Sequence, residues 1–178
     1  AESNPKAYEP ILTTSLNNMA NLYSDTQRFA ESEAMHKEAL EIRRRLAKNN
    51  PQVYEPYVIN TLYNLANLYS DTHNHAMAYN IYEELLFLLE ENFQGNPELY
   101  KTDYSGCLGG LSFICIFISK FAEAEQYARK GLEMDNTQTF IYANLAASLL
   151  FQGKYAEAEQ IYRQYKEDLK EGFLDDFA

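Results

Sequence analysis

Residues 18–26 read NMANLYSDT, and residues 64–72 read NLANLYSDT. Eight of these nine positions are identical, and the ninth exchanges Met19 for Leu65. The same offset of 46 residues relates three Asn-Pro pairs, which begin at Asn4, Asn50 and Asn96. Self-similarity at a fixed period is the sequence signature of a repeat array, in which every copy forms the same supersecondary structure. This stretch therefore predicts a repeat protein.

Apolar residues recur at helical spacing within each copy. The first copy has one stripe at Leu16, Met19, Ala20 and Tyr23, and a second stripe follows the Ser-Asp-Thr turn at Phe29, Ser32, His36, Ala39 and Leu40. Steps of three and four residues are typical of amphipathic helices. All five prolines lie near the repeat junctions, where they predict helix breaks or first turns because proline has no amide hydrogen. Each copy is therefore predicted to form helix A, a short turn and helix B.

The last period is shorter than the others. Residues 121–126 read FAEAEQ and residues 155–160 read YAEAEQ, an offset of 34 that equals the tetratricopeptide period. The large and small residues of this copy also resemble the tetratricopeptide motif, at Tyr142, Leu145, Ala146, Leu149, Gly153, Tyr155, Ala158 and Tyr162. The 46-residue copies resemble the lengthened kinesin-light-chain type of many bacterial proteins. The resemblance implies an all-α, right-handed superhelical solenoid, with the extra residues lengthening helix B and the following helix A.

Four repeats are predicted in a single array over residues 1–178, at about 5–49, 50–95, 96–135 and 136–171. Gly109 and Gly110 fall in the middle of the third helix A, where each costs roughly 1 kcal/mol relative to alanine. Residues 172–178 are expected to begin a further, truncated helix. No initiator methionine, signal sequence or polar cap is visible. The chain is therefore expected to be a fragment of a longer one.

Composition narrows the class of partner. The chain has 178 residues and a formal net charge of −11. That charge argues against nucleic acid and anionic membranes, because both require a positive surface. The longest apolar runs are too short to span a bilayer. A cytoplasmic location is the default expectation, and a neutral or basic protein segment is favoured as partner over an acidic one.

Asparagines on helix A give the strongest functional signal. In tetratricopeptide arrays helix A lines a concave groove that holds a partner peptide or helix, so the resemblance places Asn18, Asn64 and Asn144 at one groove position, and Asn21 and Asn67 one turn later. An amide offers both a donor and an acceptor, and can therefore bind peptide main chain of any sequence. The alternative is that these asparagines satisfy neighbouring backbone groups or are simply copied with the repeat. Tyr63 is added to the predicted contacts.

The third and fourth repeats are more apolar at the groove positions, where Phe113, Phe117 and Phe151 are the predicted contacts. The same surface includes Ile116, Phe140 and Leu150. An exposed apolar patch of this size normally marks a contact surface. Three interpretations stay open: a groove for an apolar peptide, a self-association face, or a surface covered by a following helix.

Positive charge is not expected in the groove. Family members that bind carboxylates resemble one another in basic residues on helix A, whereas the matching positions here are Asn17, Tyr63, Gly109 and Ala143. A carboxylate clamp is therefore not expected. The run from Arg43 to Arg45 is predicted to be a solvated face of helix B, paired with Glu38 and Glu41.

No catalytic, cofactor or metal motif is found in the sequence. His73 and His75 lie two residues apart without further ligands nearby, and are interpreted as turn and packing residues rather than metal ligands. The sequence therefore predicts a non-catalytic scaffold that binds a partner peptide or helix on helix A. The alternative is a structural spacer array that associates with itself through the third and fourth repeats and has no separate peptide ligand.

Overall fold

The computed structural model describes residues 8–173 of the chain, and the side chains of residues 8–165. Within this range the elements are α-helices joined by short turns, with no β-strand. The all-α prediction is therefore confirmed. In chain order the helices are α1 (Glu9–Asp25), α2 (Phe29–Asn49), α3 (Pro51–Asp71), α4 (His75–Gly95), α5 (Pro97–Phe117), α6 (Phe121–Met134), α7 (Thr139–Phe151) and α8 (Tyr155–Phe173).

The helices differ in length as the change of period predicts. Helices α2 to α5 each have 21 residues, whereas α6 has 14 and α7 has 13. At 1.5 Å per residue the longer helices extend roughly 11 Å further. The additional residues of the 46-residue period therefore lie in helix B and in the helix A that follows it, as the sequence indicates.

Each turn between helix A and helix B has the same backbone conformation. Gln27, His73, Ser119 and Gly153 occupy the equivalent turn position, with φ values of 59°, 57°, 62° and 77°. In all four turns the next residue donates its amide hydrogen back to helix A, as Arg28 N does to Tyr23 O over 2.7 Å. The left-handed residue is what allows the chain to reverse so tightly, so His73 is a turn residue.

The prolines follow the prediction with one exception. Pro10, Pro51 and Pro97 lie in the first turns of α1, α3 and α5. Pro56 lies inside α3, because that helix begins at Pro51 and is already continuous there. Pro5 is outside the described residues.

At the other end of the chain, α8 continues through Gly172 to Phe173. Residues 174–178, where a further helix was expected, are outside the described range.

The chain divides into two compact units, the N-terminal unit at residues 1–81 and the C-terminal unit at residues 82–178. In the N-terminal unit α2 packs against both α1 and α3. Its buried residues include Leu16, Ala20, Ala39, Leu40, Leu62, Leu65 and Ala66. This packing leaves the remaining faces of α1 and α3 available for the polar residues described below.

The C-terminal unit is built from residues 82–95 of α4 and from α5 to α8, and its last core cluster joins Ala128, Ile141, Leu145, Leu149 and Ala158. The two glycines of α5 are packing positions. A Cβ added at Gly109 would lie 2.6 Å from the ring of Phe140, and one at Gly110 would lie 2.5 Å from the ring of Tyr82. The two glycines therefore let the rings of Phe140 and Tyr82 approach the backbone of α5, and a larger residue at either position would have to displace a ring.

Candidate protein-binding surface

Helices α1 and α3 of the N-terminal unit carry most of the predicted asparagines. Asn18, Asn21 and Asn67 are exposed, and Asn64 is half-buried. The Nδ2 atom of Asn64 donates a hydrogen bond to Oδ1 of Asn17 over 3.3 Å. This bond links α3 to α1. We call the surface formed by Asn17, Asn18, Asn21, Asn64 and Asn67 the amide face.

Tyr63 is also on α3, next to the amide face, and is half-buried. It was one of the predicted contact residues, and it occupies the helix A position that corresponds to Asn17 in the first repeat. At the offset of 46 residues the asparagine of α1 therefore corresponds to a tyrosine in α3. Helices α1 and α3 are equivalent in the repeat, but they carry different side chains at the position of Asn17 and Tyr63.

Arg43 is the main departure from the sequence interpretation. It was expected on a solvated face of helix B, but its side chain is only 3% exposed. The guanidinium lies between the helices that carry the amide face. Its Nη1 donates to Oδ1 of Asn17 over 3.5 Å and to the carbonyl oxygen of Tyr57 over 3.0 Å. It also donates to Oγ1 of Thr61, and Nη2 donates to the carbonyl oxygen of Thr13 over 3.4 Å.

The positive charge of Arg43 has no carboxylate partner within the described residues. Burial lowers the pKa of its guanidinium below the ordinary value, although an arginine remains protonated. Its Nε is buried and makes no hydrogen bond in the described part of the chain. The ring of Tyr57, with its centroid 5.4 Å away, supplies a cation–π contact. Burying an unpaired charge is costly, so this arrangement is a feature that packing alone does not explain.

The other two arginines of the run do face solvent. Arg45 is exposed and pairs with Glu9 of α1 over 3.0 Å. Arg44 is exposed as well. The expected pairing of the run with Glu38 and Glu41 is not what is observed for Arg43 and Arg45, because one is drawn into the interior and the other reaches across to α1.

His36 lies on the same buried stripe of α2 as Arg43, two helical turns away. It is 1% exposed, and its Nδ1 has no hydrogen-bond partner in the described part of the chain. Burial, together with the nearby Arg43 charge, lowers the pKa of the imidazole to about 4. His36 is therefore neutral at physiological pH and behaves as a core residue.

Asn144 has a different environment from Asn18 and Asn64, although the repeat register makes them equivalent. It is 7% exposed in the C-terminal unit. Its Nδ2 donates to the carbonyl oxygen of Gly109 over 3.0 Å. The bond links α7 to α5, and it gives Asn144 an internal partner.

The predicted aromatic contacts lie in the C-terminal unit. Phe113 is half-buried and its ring centroid lies 4.8 Å from that of the exposed Phe117. Phe151 is also exposed, and it stacks on Phe121 of α6 with ring centroids 4.9 Å apart. Phe140 and Leu150 add to the exposed apolar surface of α7. These residues form exposed aromatic pairs rather than an enclosed pocket.

Electrostatic contacts elsewhere in the C-terminal unit are structural. Glu125 accepts from Lys154, Gln152 and Arg129, which together outweigh its burial and lower its pKa to about 2. Burial raises the pKa of the Cys107 and Cys115 thiols, the latter to about 12. Both thiols are therefore protonated and unreactive at neutral pH.

The described residues contain no group of three or more metal-binding side chains. Nor does any helix in the described part of the chain have the length and apolar character needed to cross a membrane.

Helix pairs joined by short turns and repeated along the chain define a class of α-helical repeat proteins. Two family models, each described as tetratricopeptide repeat, match this sequence. One matches residues 12–52 and 141–165, the other residues 61–97, and together they cover more than half of the chain. The chain belongs to the tetratricopeptide repeat family. Members of this family are in general non-catalytic scaffolds for protein–protein interaction.

Solved structures share the fold. BtubC (BKLC) from P. vanneervenii is similar with a TM-score of 0.73 and 18% identity, over 89% of this chain and 63% of that one. MamA AMB-1 is similar with a TM-score of 0.50 and 12% identity, over 95% and 94% of the two chains. PilF of Pseudomonas aeruginosa is similar with a TM-score of 0.50 and 16% identity, over 89% of this chain and 77% of that one. This chain therefore spans less than two thirds of the length of BtubC. No curated protein sequence matches it.

Proposed function

We propose that this chain is a non-catalytic scaffold that holds an extended segment of a partner protein against the amide face. The proposal is carried by one observation: three amide side chains, Asn18, Asn21 and Asn67, are exposed on two helices that touch each other through Asn64 and Asn17. Exposed amides on a rigid helical surface supply donors and acceptors for peptide main chain.

The chemistry at one end of the amide face favours a basic residue in the partner segment. Asp25 and Asp71 are both exposed, and each lies one turn beyond an asparagine of the face, Asn21 and Asn67 respectively. Partial burial raises the pKa of the Asp71 carboxyl, a cost that a cationic side chain would offset. The net charge of −11 also favours a basic partner segment.

The test is selection of short random peptides on the immobilised chain, followed by measurement of Kd for a synthetic copy of the best peptide. The variant Asn18→Ala/Asn21→Ala/Asn67→Ala should weaken binding by at least about tenfold, since it removes three polar contacts. A matched control, Asn80→Ala/Gln126→Ala/Gln160→Ala, removes three exposed amides from helix B surfaces and should leave Kd unchanged. Failure to select any peptide, or equal loss in both variants, would contradict the proposal.

Self-association is the second candidate, favoured by the exposure of Phe117, Phe140 and Phe151 in the C-terminal unit. If the chain self-associates, light scattering should give a mass above the 20.6 kDa of one chain. The variant Phe117→Glu should return the measured mass to 20.6 kDa. Phe87→Glu is the matched control, because Phe87 is exposed on α4 and is not part of this patch. A monomer at high protein concentration would exclude this candidate.

A further inference from the structure

We propose that a second copy of this chain binds an exposed apolar face of α1 with its own α8, so that copies associate head to tail. This surface differs from the amide face and from the exposed aromatic residues of the C-terminal unit, and its use does not depend on the function proposed above. The model for the contact is the packing of α3 on α2 within the N-terminal unit. The residues that form that packing recur on α1 and on α8.

The exposed face of α1 is identified by comparison with α3. Helix α3 follows a helix B, and its Thr61 accepts a hydrogen bond from Arg43 of α2. No described helix packs against α1 in that way. Four residues of α1 are exposed although the residues 46 positions later are buried, namely Leu12, Ser15, Met19 and Leu22 against Val58, Thr61, Leu65 and Leu68. The residues that pack on a helix B in α3 are therefore exposed in α1.

A hydrogen bond between tyrosine and glutamate accompanies the packing of α3 on α2. The hydroxyl of Tyr69 donates to Oε1 of Glu33 over 2.8 Å. The same carboxylate pairs with Lys37 of its own helix over 2.6 Å. Glu33 thus joins a cation of its own helix to a donor of the helix that follows.

The glutamate at the same register of α6 makes the same kind of contact in the C-terminal unit. Glu125 pairs with Arg129 of its own helix. It also accepts from Gln152 and Lys154, which belong to the helix pair that follows. The side chains of Glu33 and Glu125 are 37% and 13% exposed. In two helices B, therefore, this glutamate binds groups of the next helix pair.

Helix α8 is the last described helix, and it repeats this acceptor. Glu159 lies at the register of Glu33 and pairs with Arg163 of its own helix over 2.6 Å. Its side chain is 60% exposed. Tyr162 is exposed as well, whereas the residues at its register in the three preceding helices B are buried, namely His36, Tyr82 and Ala128. We call Glu159, Tyr162 and Arg163 the C-terminal face.

Helix α1 and the turn after it repeat the donors. Tyr23 is the equivalent of Tyr69, and Arg28 is the equivalent of Lys154. The guanidinium of Arg28 lies over the ring of Tyr23, 4.2 Å from its centroid. A hydroxyl and a guanidinium held close together suit a carboxylate, because hydrogen bonds from charged donors to carboxylates are among the stronger ones. We call Leu12, Met19, Leu22, Tyr23 and Arg28 the N-terminal face.

The two faces complement each other and not themselves. Two N-terminal faces would bring together two copies of Arg28, and two C-terminal faces would bring together two copies of Glu159. A contact between unlike faces is heterologous, and it leaves one face of each kind free on every dimer. Association should therefore continue beyond a dimer. Because each copy carries a net charge of −11, the copies repel one another, and we expect assembly only at high protein concentration and physiological salt.

The first measurement is sedimentation velocity from about 10 μM to about 1 mM protein, a range that covers weak association. The average mass should rise above 20.6 kDa with concentration. Met19→Glu and Glu159→Arg should each raise the Kd of association at least about tenfold. Both residues are exposed, so both variants should keep their fold. Leu99→Glu and Glu133→Arg make the same changes at exposed positions outside the two faces and should associate like the wild type.

A mixture of the two blocked variants tests the head-to-tail arrangement. The Met19→Glu variant keeps a working C-terminal face, and the Glu159→Arg variant keeps a working N-terminal face. Each should be monomeric alone, and an equimolar mixture should reach twice the mass of one chain and no more. The double variant Arg28→Glu/Glu159→Arg reverses both charges, and it should recover association that Arg28→Glu and Glu159→Arg lose singly.

The outcomes separate this inference from both candidates given above. A chain that stays monomeric at about 1 mM overturns it, as does assembly that is unchanged in Met19→Glu and Glu159→Arg. Assembly that is lost in Phe117→Glu but kept in Glu159→Arg also overturns it, and assigns self-association to the aromatic residues. A dimer formed only in the mixture supports it. Peptide selection tests the scaffold function independently, because the amide face shares no residue with either face.

Discussion

The side-chain amide of Asn144 donates a hydrogen bond to the carbonyl oxygen of Gly109, 3.0 Å away on a neighbouring helix. Asn18 stands at the equivalent position of the first repeat and is exposed, and Asn64 in the second repeat is half-buried. One repeat register therefore holds an internal asparagine, a surface asparagine and an intermediate one. The residue type is repeated, but its environment depends on the neighbouring helix.

Asn144→Ala is expected to destabilise the chain by about 1–2 kcal/mol, because it leaves a buried carbonyl without its side-chain donor. Chemical unfolding followed by circular dichroism measures this change. Asn18→Ala is the matched variant, and it should stay within about 0.5 kcal/mol of the wild type since that residue is exposed. An equal decrease in the free energy of unfolding in the two variants would show that the Asn144–Gly109 hydrogen bond does not stabilise the chain.

Gly109→Ala is expected to be destabilising even though alanine is the better helix former by about 1 kcal/mol. The added Cβ would lie 2.6 Å from the ring of Phe140 and 2.8 Å from Ile141, and relieving such overlap costs about 1–3 kcal/mol. A net loss of about 1 kcal/mol or more is therefore expected in urea unfolding. Gly95→Ala is the control, because nothing lies within 4 Å of its new Cβ. A stabilised Gly109→Ala would mean that α5 and α7 pack less closely than described.

Leu65→Ala should cost about 2–5 kcal/mol, whereas Met19→Ala should cost below about 1 kcal/mol. These residues are equivalent in the repeat, yet Leu65 is 1% exposed and Met19 is 45% exposed. The difference arises because the stripe of α3 that includes Leu65 and Thr61 faces α2, as the Arg43–Thr61 bond shows, while no described helix covers the same stripe of α1. Comparable losses in the two variants would show that the α1 face is covered in solution.

Sequence reasoning could predict the helices and their lengths because both follow from the period of the pattern. It could also place the asparagines on helix A. It could not predict which asparagines are buried. The repeats are nearly identical in sequence around these residues, but burial depends on the neighbouring helix, and that helix differs from one repeat to the next. Leu12, Met19 and Leu22 are exposed for this reason, although the same stripe is buried in α3.

Arg43 is the residue that the sequence analysis misplaced, and a signal for it was present. The apolar stripe of α2 runs through Ser32, His36, Ala39 and Leu40, and one further helical step reaches Arg43. The run of three arginines favoured a solvated face, but a long side chain can extend its charged head to polar atoms of other helices. The acceptors came from Thr13, Asn17, Tyr57 and Thr61, which lie 14 to 30 residues away in the sequence.

Acid should destabilise the N-terminal unit through His36 before the carboxylates contribute. The folded chain holds the pKa of His36 at about 4, below the ordinary value of 6.5, because the ring is buried near Arg43. The unfolded chain therefore binds more protons at pH values below 6.5, and stability is lost as the pH falls from 6.5 towards 4. The full difference corresponds to roughly 3 kcal/mol. Glu125, with a folded pKa of about 2, adds its own loss only below the ordinary glutamate range.

The measurement is urea unfolding at neutral pH and at about pH 5, where His36 contributes to the expected change and His75, whose pKa burial also lowers, contributes in the same direction. His36→Gln should reduce the difference in unfolding free energy between the two conditions, whatever its effect on absolute stability. His73→Gln is the matched control, because it also removes one histidine and installs the residue found at the equivalent turn position, Gln27. It should reduce the pH dependence less than His36→Gln does, because it leaves His36 in place and removes only the nearby charge that helps to lower the pKa of His75. A pH dependence that is the same in the wild type and both variants would mean that the His36 imidazole can be protonated without cost, and that its site is more open to water than its 1% exposure indicates.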